Sequence, residues 1–478
     1  MLTNRVKTLL PEEVQRQLEK NLFRHQINKV LHGHPSPMYW KAPNEGVVLK
    51  KPEGTWKSRR VNFYIGIPYC IPTDPPHCGF CLFPTEKYTG KDAMNTYLDH
   101  LEMEATQYVD FYEGASLESI YVGGGTPNLL APESYARLLE IARKIFPNMN
   151  DSIEKTLEGI PQLFNEAKVK AIRDAGFNRV SMGVQQMNDK LIKHSGRRQT
   201  RRQIFEAISL FHKYSLACNL DLIYGWPEQT VEDMLQDLRD AVDLGVRHIT
   251  HYELNIGGRS DFSTARKDLV ANVPTKIAMY QEAKNFLTES GYIRRTVYDW
   301  EKPEPNEKFS FAGAEKYSYE NNLRELLKVE ADSSITTNSM GAIGYAAINN
   351  HFGGPNTAEP ATAMMNHKSL SKYYEDTENG RLPVERMFRL GLNDVKLTWI
   401  FQCSQEMKIS KTQYRKIFDD CLYKEYRNIW SVLEERNWIR NTEEEIQFIN
   451  EGEFYIPTIQ ALLSKARLEE ISLASKLA

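Results

Sequence analysis

Three of the six cysteines, Cys70, Cys78 and Cys81, fall within twelve positions of the string "YIGIPYCIPTDPPHCGFCLFP". Cys78 and Cys81 form a C-x-x-C pair whose thiolates can turn toward one metal site. Cys70 adds a third sulfur from across a seven-residue gap, "IPTDPPH". The number three narrows the chemistry. A structural zinc takes four protein ligands, and a catalytic zinc favours His and carboxylate. A cubane [4Fe–4S] cluster held by three thiolates keeps one iron open to a small molecule. His77 could complete a zinc site, and a redox trio is the remaining reading, so on the residues alone all three stay open.

Composition limits the setting. A chain of 478 residues can bury a large core and implies two or three structural units. A formal net charge of -3 gives no global attraction to nucleic acid or anionic membrane. The first residues lack the apolar core of a signal peptide, and no run of about 18 apolar residues marks a membrane span. The expectation is a cytoplasmic protein, and a reducing compartment assigns clustered cysteines to metal or redox chemistry rather than to structural disulfides.

The elements that must position the cysteines alternate in type. "VNFYIGIP" is a β-branched and aromatic strand ended by Pro68, and further strands are expected at "SIYVGGGTP", 153–158, "NRVSMGVQ", "ACNLDLIYG" and "HITHYELN". Helical patterns separate them near 92–112, 132–146, 162–175, 201–214 and 230–244. Such alternation implies a parallel sheet wrapped by helices, as a barrel or an open sheet, with chemistry at the C-terminal strand ends. Those ends carry Cys70, then Gly123–Gly125 with Thr126, then Glu158, Gln185 and Asp221. The set suits a polar ligand spread across the mouth of a barrel. Taken singly, the glycine run is as well read as a tight turn, and either carboxylate as a cap or an ion-pair partner.

The strings "FYIGIPYC", "CGFC", "VGGGTP", "LEGIPQLFNEAKVKAIRDAGFNRVSMGVQ", "GRRQT" and "LDLIYGWPEQT", in this order, resemble the radical S-adenosylmethionine (SAM) enzymes related to oxygen-independent coproporphyrinogen III oxidase. That group also holds a heme chaperone, methyltransferases, cyclopropane-forming enzymes and a heme-degrading methyltransferase. The resemblance is close over 61–255 and fades afterwards. It implies an α/β fold with a parallel, partial TIM-type β/α barrel and a small, mainly helical C-terminal domain. The implied division is an N-terminal helical extension at 1–60, a core barrel at 61–300, a loop-rich, site-closing segment at 301–383 and a cap at 384–478.

Carried over by motif, the resemblance makes Cys70, Cys78 and Cys81 the cluster ligands and places Tyr64 beside the cluster and Phe80 near the adenine. Gly124, Gly125 and Thr126 would approach the methionine amino group of SAM. Glu158, Gln185, Arg197 and Asp221 would hold its ribose, its carboxylate or a second SAM molecule. The implied reaction is reductive cleavage of SAM to a 5′-deoxyadenosyl radical, with methyl transfer or cyclopropane formation ahead of porphyrinogen decarboxylation, or else heme delivery by a chaperone that keeps the fold. The implied partners are a small-molecule substrate and a flavodoxin- or ferredoxin-like electron donor, without nucleic acid. Two departures stand out. The family's usual spacing is C-x-x-x-C-x-x-C, against seven residues in the first gap here, and Leu82 stands where the porphyrinogen oxidase proper usually carries a further cysteine. Cys218, Cys403 and Cys421 are expected in the core, the charges after Arg197 in "GRRQTRR" on a solvated face, and the Gly-, Asn- and Ser-rich stretch 332–356 in loops.

Overall fold

Seven strands run parallel through the centre of the molecule, which is described from a computed structural model over residues 9–24, 33–44, 46–49, 59–258, 260–303, 327–329, 335–352 and 361–477. They are β1 (Arg59–Ile67), β2 (Ser116–Gly124), β3 (Glu154–Gly159), β4 (Arg179–Gln185), β5 (Ala217–Tyr224), β6 (His248–Glu253) and β7 (Ile335–Gly344). Their spatial order is β7-β1-β2-β3-β4-β5-β6. The crossover helices are α1 (Lys91–Thr106), α2 (Ser134–Ile145), α3 (Glu166–Asp174), α4 (Arg201–Lys213) and α5 (Val231–Asp243), and α6 (Val273–Glu289) follows β6. Thr200 and Thr230 start α4 and α5 as capping boxes with Gln203 and Asp233. The threonines of "GRRQT" and "PEQT" are therefore helix caps.

Antiparallel strands finish both edges. Ile348–Phe352, Ala361–Asn366 and Val384–Leu390 continue outward from β7, and Asp299–Glu301 with Ile293–Arg294 continue outward from β6. No strand pairing among the described residues joins the two edges, so the sheet has the open form of a partial barrel. The C-terminal region is mainly helical, with Leu392–Gln405, Lys411–Phe418, Arg427–Glu435 and Ile456–Leu477 around a three-stranded antiparallel sheet. Glu453 of this region accepts two bonds from Arg294, at 2.8 and 2.7 Å, and one from Lys284 at 2.7 Å. This clamp ties the edge strand that Arg294 ends to the C-terminal region. Among the described residues no helix is long and apolar enough to cross a membrane.

One stretch departs from the sequence reading. Residues 335–352, expected in loops, are two strands, and one of them is β7 beside β1. The reason is how β7 packs. A Cβ on Gly341 would lie 2.9 Å from the Phe63 ring, and one on Gly344 would meet the Tyr97 hydroxyl, so the strand fits by close backbone approach at two glycines, a residue type that in a sequence reads as a turn. Residues 330–334 and 353–356 lie outside the described residues, as do 304–326 and, within the N-terminal extension, 1–8, 25–32, 45 and 50–58.

The face of the sheet that carries the site has a polar floor. Asn62 donates to Asn338 (2.8 Å) and accepts from Ser119 (2.6 Å), while Asn219 donates to Ser181 (3.1 Å) and accepts from Thr250 (3.1 Å). These side chains are buried and satisfied by one another across neighbouring strands. Because side chains alternate between faces along a strand, the residues two further on share this face. Those residues are Tyr64 on β1, Tyr121 on β2, Gly183 on β4 and Asp221 on β5, and the strand pairing puts Glu158 of β3 with them.

Candidate active site

β1 delivers the cysteine loop. Pro68 follows its last residue, and Tyr69–Cys70 then pairs in parallel with Glu86–Lys87, closing the loop on itself. Within the loop Thr73 Oγ1 accepts from Cys78 N (2.8 Å) and donates to Pro75 O (2.8 Å), and Cys81 N donates to His77 O (2.9 Å). His77, Cys78 and Gly79 all adopt positive φ, at 53°, 54° and 73°. A side chain at Gly79 would also lie 2.7 Å from Phe262. Phe262 packs with Trp226 and Phe80 in a small aromatic floor under the loop, with ring centroids 5.0 to 6.0 Å apart. The long first gap has its own support: Gly196, left-handed at φ 67°, lets the backbone of Asp74 approach so closely that any Cβ there would run into it.

The glycine turn after β2 is tied to the same segment. Gly125 N donates to Ile67 O (2.8 Å), Thr126 N donates to Tyr69 O (2.8 Å), and Thr126 Oγ1 lies 3.2 Å from Cys70 Sγ. A Cβ on Gly125 would run into the Tyr69 carbonyl, a backbone group that cannot step aside. Gly125→Ala is therefore expected to destabilise the protein by about 1–3 kcal/mol and to lower metal loading of the neighbouring cysteines. Chemical denaturation and iron analysis of the variant check both. With the N–H groups of Gly124, Gly125 and Thr126 occupied, what these residues can offer a ligand from the backbone is carbonyl oxygen, the acceptor an ammonium group needs.

Two carboxyl groups face the turn. Glu158 accepts from Tyr121 OH through Oε1 (2.7 Å) and from Gly124 N through Oε2 (3.1 Å). Tyr121 in turn is the cross-strand neighbour of Tyr64, and their rings stack with centroids 6.1 Å apart. Asp221 accepts from Asn219 Nδ2 (2.7 Å), with Ser181 Oγ at 3.5 Å. Burial pushes its carboxyl up to about 8, and the charge of Glu158 adds to that push while Arg179 opposes it. The two carboxyls therefore feel each other, and Asp221 holds its proton at neutral pH. Arg197 donates to Gly183 O and to Gln199 Oε1 (2.9 Å), while Gln185 ends β4 at φ 68° beside a register shift.

The structure thus gathers Tyr64, Glu158 and Asp221 on one face, bonds the Gly124 N–H to Glu158 and ties Cys70 to Thr126. Arg197 and Gln185 sit at the end of β4, and Phe80 turns into the aromatic floor with Trp226 and Phe262. Of the charges after Arg197, Arg202 forms an exposed ion pair with Glu206, whereas Arg201 pairs with the buried Asp240. Cys218 is buried as expected, but Cys403 and Cys421 are half-buried. They lie on or beside helices of the cap rather than inside the central sheet.

None of the six cysteines forms a disulfide, and Cys70, Cys78 and Cys81 are partly exposed. Burial pushes the Cys70 thiol up, the Thr126 hydrogen bond lowers it, the charge of Cys78 raises it and that of Arg197 lowers it. Among the described residues no three His, Cys, Asp or Glu side chains stand at ligating distance from one point. What the loop presents is the donor chemistry, three soft thiols on one strand end, and that chemistry fits an iron–sulfur cluster better than a hard cation. Residues 75–241 match the model of the radical SAM superfamily. This chain carries a radical SAM domain.

Relatives of the radical SAM domain include the heme chaperone HemW of Buchnera aphidicola subsp. Schizaphis graminum, 31% identical over 245 residues, or 51% of this chain and 63% of that protein. The anaerobilin synthase of Escherichia coli O157:H7 is 27% identical over 345 residues, covering 70% of this chain and 69% of that protein. The chain thus spans a little under two thirds of the chaperone's length. Coproporphyrinogen III oxidase (HemN) from Escherichia coli superimposes over 92% of this chain and 99% of its own with a TM-score of 0.73 and 22% identity, a likeness of fold. The named relatives give no support to the expectation of methyl transfer or cyclopropane formation.

Sequence reading missed Tyr121, Asn219, Trp226 and Phe262. Tyr121 and Asn219 carry a signal in period two, since each lies two residues before a strand-end position already singled out, Gly123 and Asp221. Trp226 and Phe262 meet only in three dimensions, where Trp226 also donates from its indole to Leu191 O (3.0 Å), and spacing in one dimension does not mark them.

Proposed function

We propose that this chain is a radical SAM enzyme in which Cys70, Cys78 and Cys81 hold a [4Fe–4S] cluster, and the strand ends of β1 to β5 hold SAM. The observation that carries the reading is the joint between the two halves of the site: the cysteine segment and the glycine turn are bonded backbone to backbone at Ile67–Gly125 and Tyr69–Thr126. A cluster held by Cys70, Cys78 and Cys81 would supply the one-electron reduction that cleaves SAM into methionine and a 5′-deoxyadenosyl radical.

The chain's own residues orient and enclose. Glu158, fixed on two sides by Tyr121 and Gly124, presents its remaining lone pairs to the cationic groups of SAM. Asp221 is a neutral acid at rest, and a cation arriving beside it takes the place of its proton. Arg197 would pair with the SAM carboxylate. Tyr64 and Tyr121 form an aromatic wall, and the Phe80, Trp226 and Phe262 floor excludes water from beneath the cysteine loop. The electron comes from a donor of flavodoxin or ferredoxin type, and the substrate is a small organic molecule.

A second reading, heme delivery, is favoured by relatives named heme chaperone. Against it, the anaerobilin synthase alignment runs over 345 residues and the first chaperone alignment over 245, which favours an enzyme. Anaerobic incubation with SAM and dithionite is expected to release 5′-deoxyadenosine above the rate of a Cys78→Ala control. Tight one-to-one heme binding without that product would replace the enzyme reading with the chaperone.

A further inference from the structure

Thr126 is 1% exposed, and its main chain is held on both sides: its N–H donates to Tyr69 O (2.8 Å) and its carbonyl accepts from Leu129 N (3.0 Å). Its hydroxyl, 3.2 Å from Cys70 Sγ, has that sulfur as its partner among the described residues. Toward a thiol, a hydroxyl can donate or accept. Toward a thiolate that ligates iron there is no proton to accept, and the hydroxyl donates.

We propose that Thr126 is a positioning residue whose hydroxyl donates to the Cys70 thiolate and raises the reduction potential of the cluster that this thiolate holds. The inference rests on the cluster-binding reading above. Donation draws negative charge from the sulfur. The reduced cluster carries one more electron than the oxidised one and gains more from that withdrawal, so the bond favours reduction. One electron enters from an external low-potential reductant, with no covalent bond made or broken at Thr126.

Cys70 sits on a short strand between β1 and the glycine turn, so its sulfur meets a buried side-chain donor. Cys78 and Cys81 lie on the turn that follows, whose backbone bonds to Thr73 and His77 shape the loop. Thr126 thus couples the SAM-facing turn to one ligand of the cluster.

The test uses full-length, anaerobically reconstituted protein, with the reduced fraction followed by EPR during a potentiometric titration with dithionite or titanium(III) citrate. Thr126→Val keeps the shape and removes the hydroxyl, and should shift the midpoint to more negative potential, leaving about tenfold less reduced cluster at a fixed poise. Thr126→Ser should restore the parental midpoint. Loss of iron to a chelator should be about tenfold faster in Thr126→Val and near parental in Thr126→Ser. If the valine variant loads poorly, Thr126→Ala, which leaves space where valine places a methyl, must show the same direction of shift. A valine midpoint equal to the parent's, or a shift that serine does not reverse, overturns the inference while leaving cluster binding intact. A parent that takes up no iron and sulfide overturns both.

Discussion

Alanine in place of Cys70, Cys78 or Cys81 should abolish uptake of iron and sulfide on anaerobic reconstitution, whereas Cys218→Ala should load as the parent does. Three thiolates are the fewest that leave one iron open, so losing any of them leaves two irons without a protein ligand. The control is chosen on physical grounds. Burial pushes the Cys218 thiol up to about 12, so it stays protonated and is a poor ligand at neutral pH. Each loop variant should lose the cluster's visible absorption and at least about tenfold of its SAM cleavage. Full activity with zinc and no sulfide in the preparation would contradict the expectation.

Asp221→Asn should make the protein more stable and a poorer binder of SAM. The folded carboxyl titrates at about 8 against 3.8 for the ordinary group. Between those values the unfolded chain is ionised while the folded one keeps its proton, so the parent loses stability as pH rises through this window. The groups that set this value are Glu158 on β3, Arg179 on β4, Asn219 on β5 and Asp299 on the antiparallel edge strand. Asparagine mimics the protonated acid and does not titrate. The variant should gain on the parent progressively above pH 4, reaching roughly 5 kcal/mol by pH 8 in urea denaturation. Parental SAM affinity should rise with pH toward 8, as the proton that SAM displaces becomes easier to remove, and this slope should vanish in Asp221→Asn. Glu158→Gln, which weakens a charge-assisted site, should lower SAM affinity roughly 10- to 100-fold with the fold intact. An Asp221→Asn protein that is less stable and binds SAM normally would make the residue a structural one.

Much of this arrangement is legible in the sequence because strand and helix alternate regularly from β1 to β6, and because residues of a given chemistry recur at successive strand ends. Cys70, Glu158 and Asp221 can each be placed by counting along one strand. β7 is not legible in this way. Its residues "ITTNSMGAIG" include Gly341 and Gly344 where Tyr112, Phe63 and Tyr97 press against the strand, and those partners lie far away along the chain. The antiparallel turn at Asp299–Glu301 is hidden for a similar reason: a helix followed by a strand reads as another parallel unit until the pairing with β6 shows its direction. The seven-residue cysteine gap looks like an irregularity in the sequence. Its fit against Gly196, whose motif lies more than a hundred residues later, shows that the loop and "GRRQT" are one packed unit.

The central claim is that three cysteines hold one cluster with an iron left open to SAM. Low-temperature EPR of the reduced, reconstituted protein, recorded with and without SAM, tests it most directly. The account predicts a cluster signal whose g-values shift on addition of SAM, with the shift lost in Cys70→Ala, Cys78→Ala and Cys81→Ala because the signal itself is lost. A cluster signal that SAM leaves unchanged at saturating concentration would contradict an open iron, and with it the assignment of these strand ends as a SAM site.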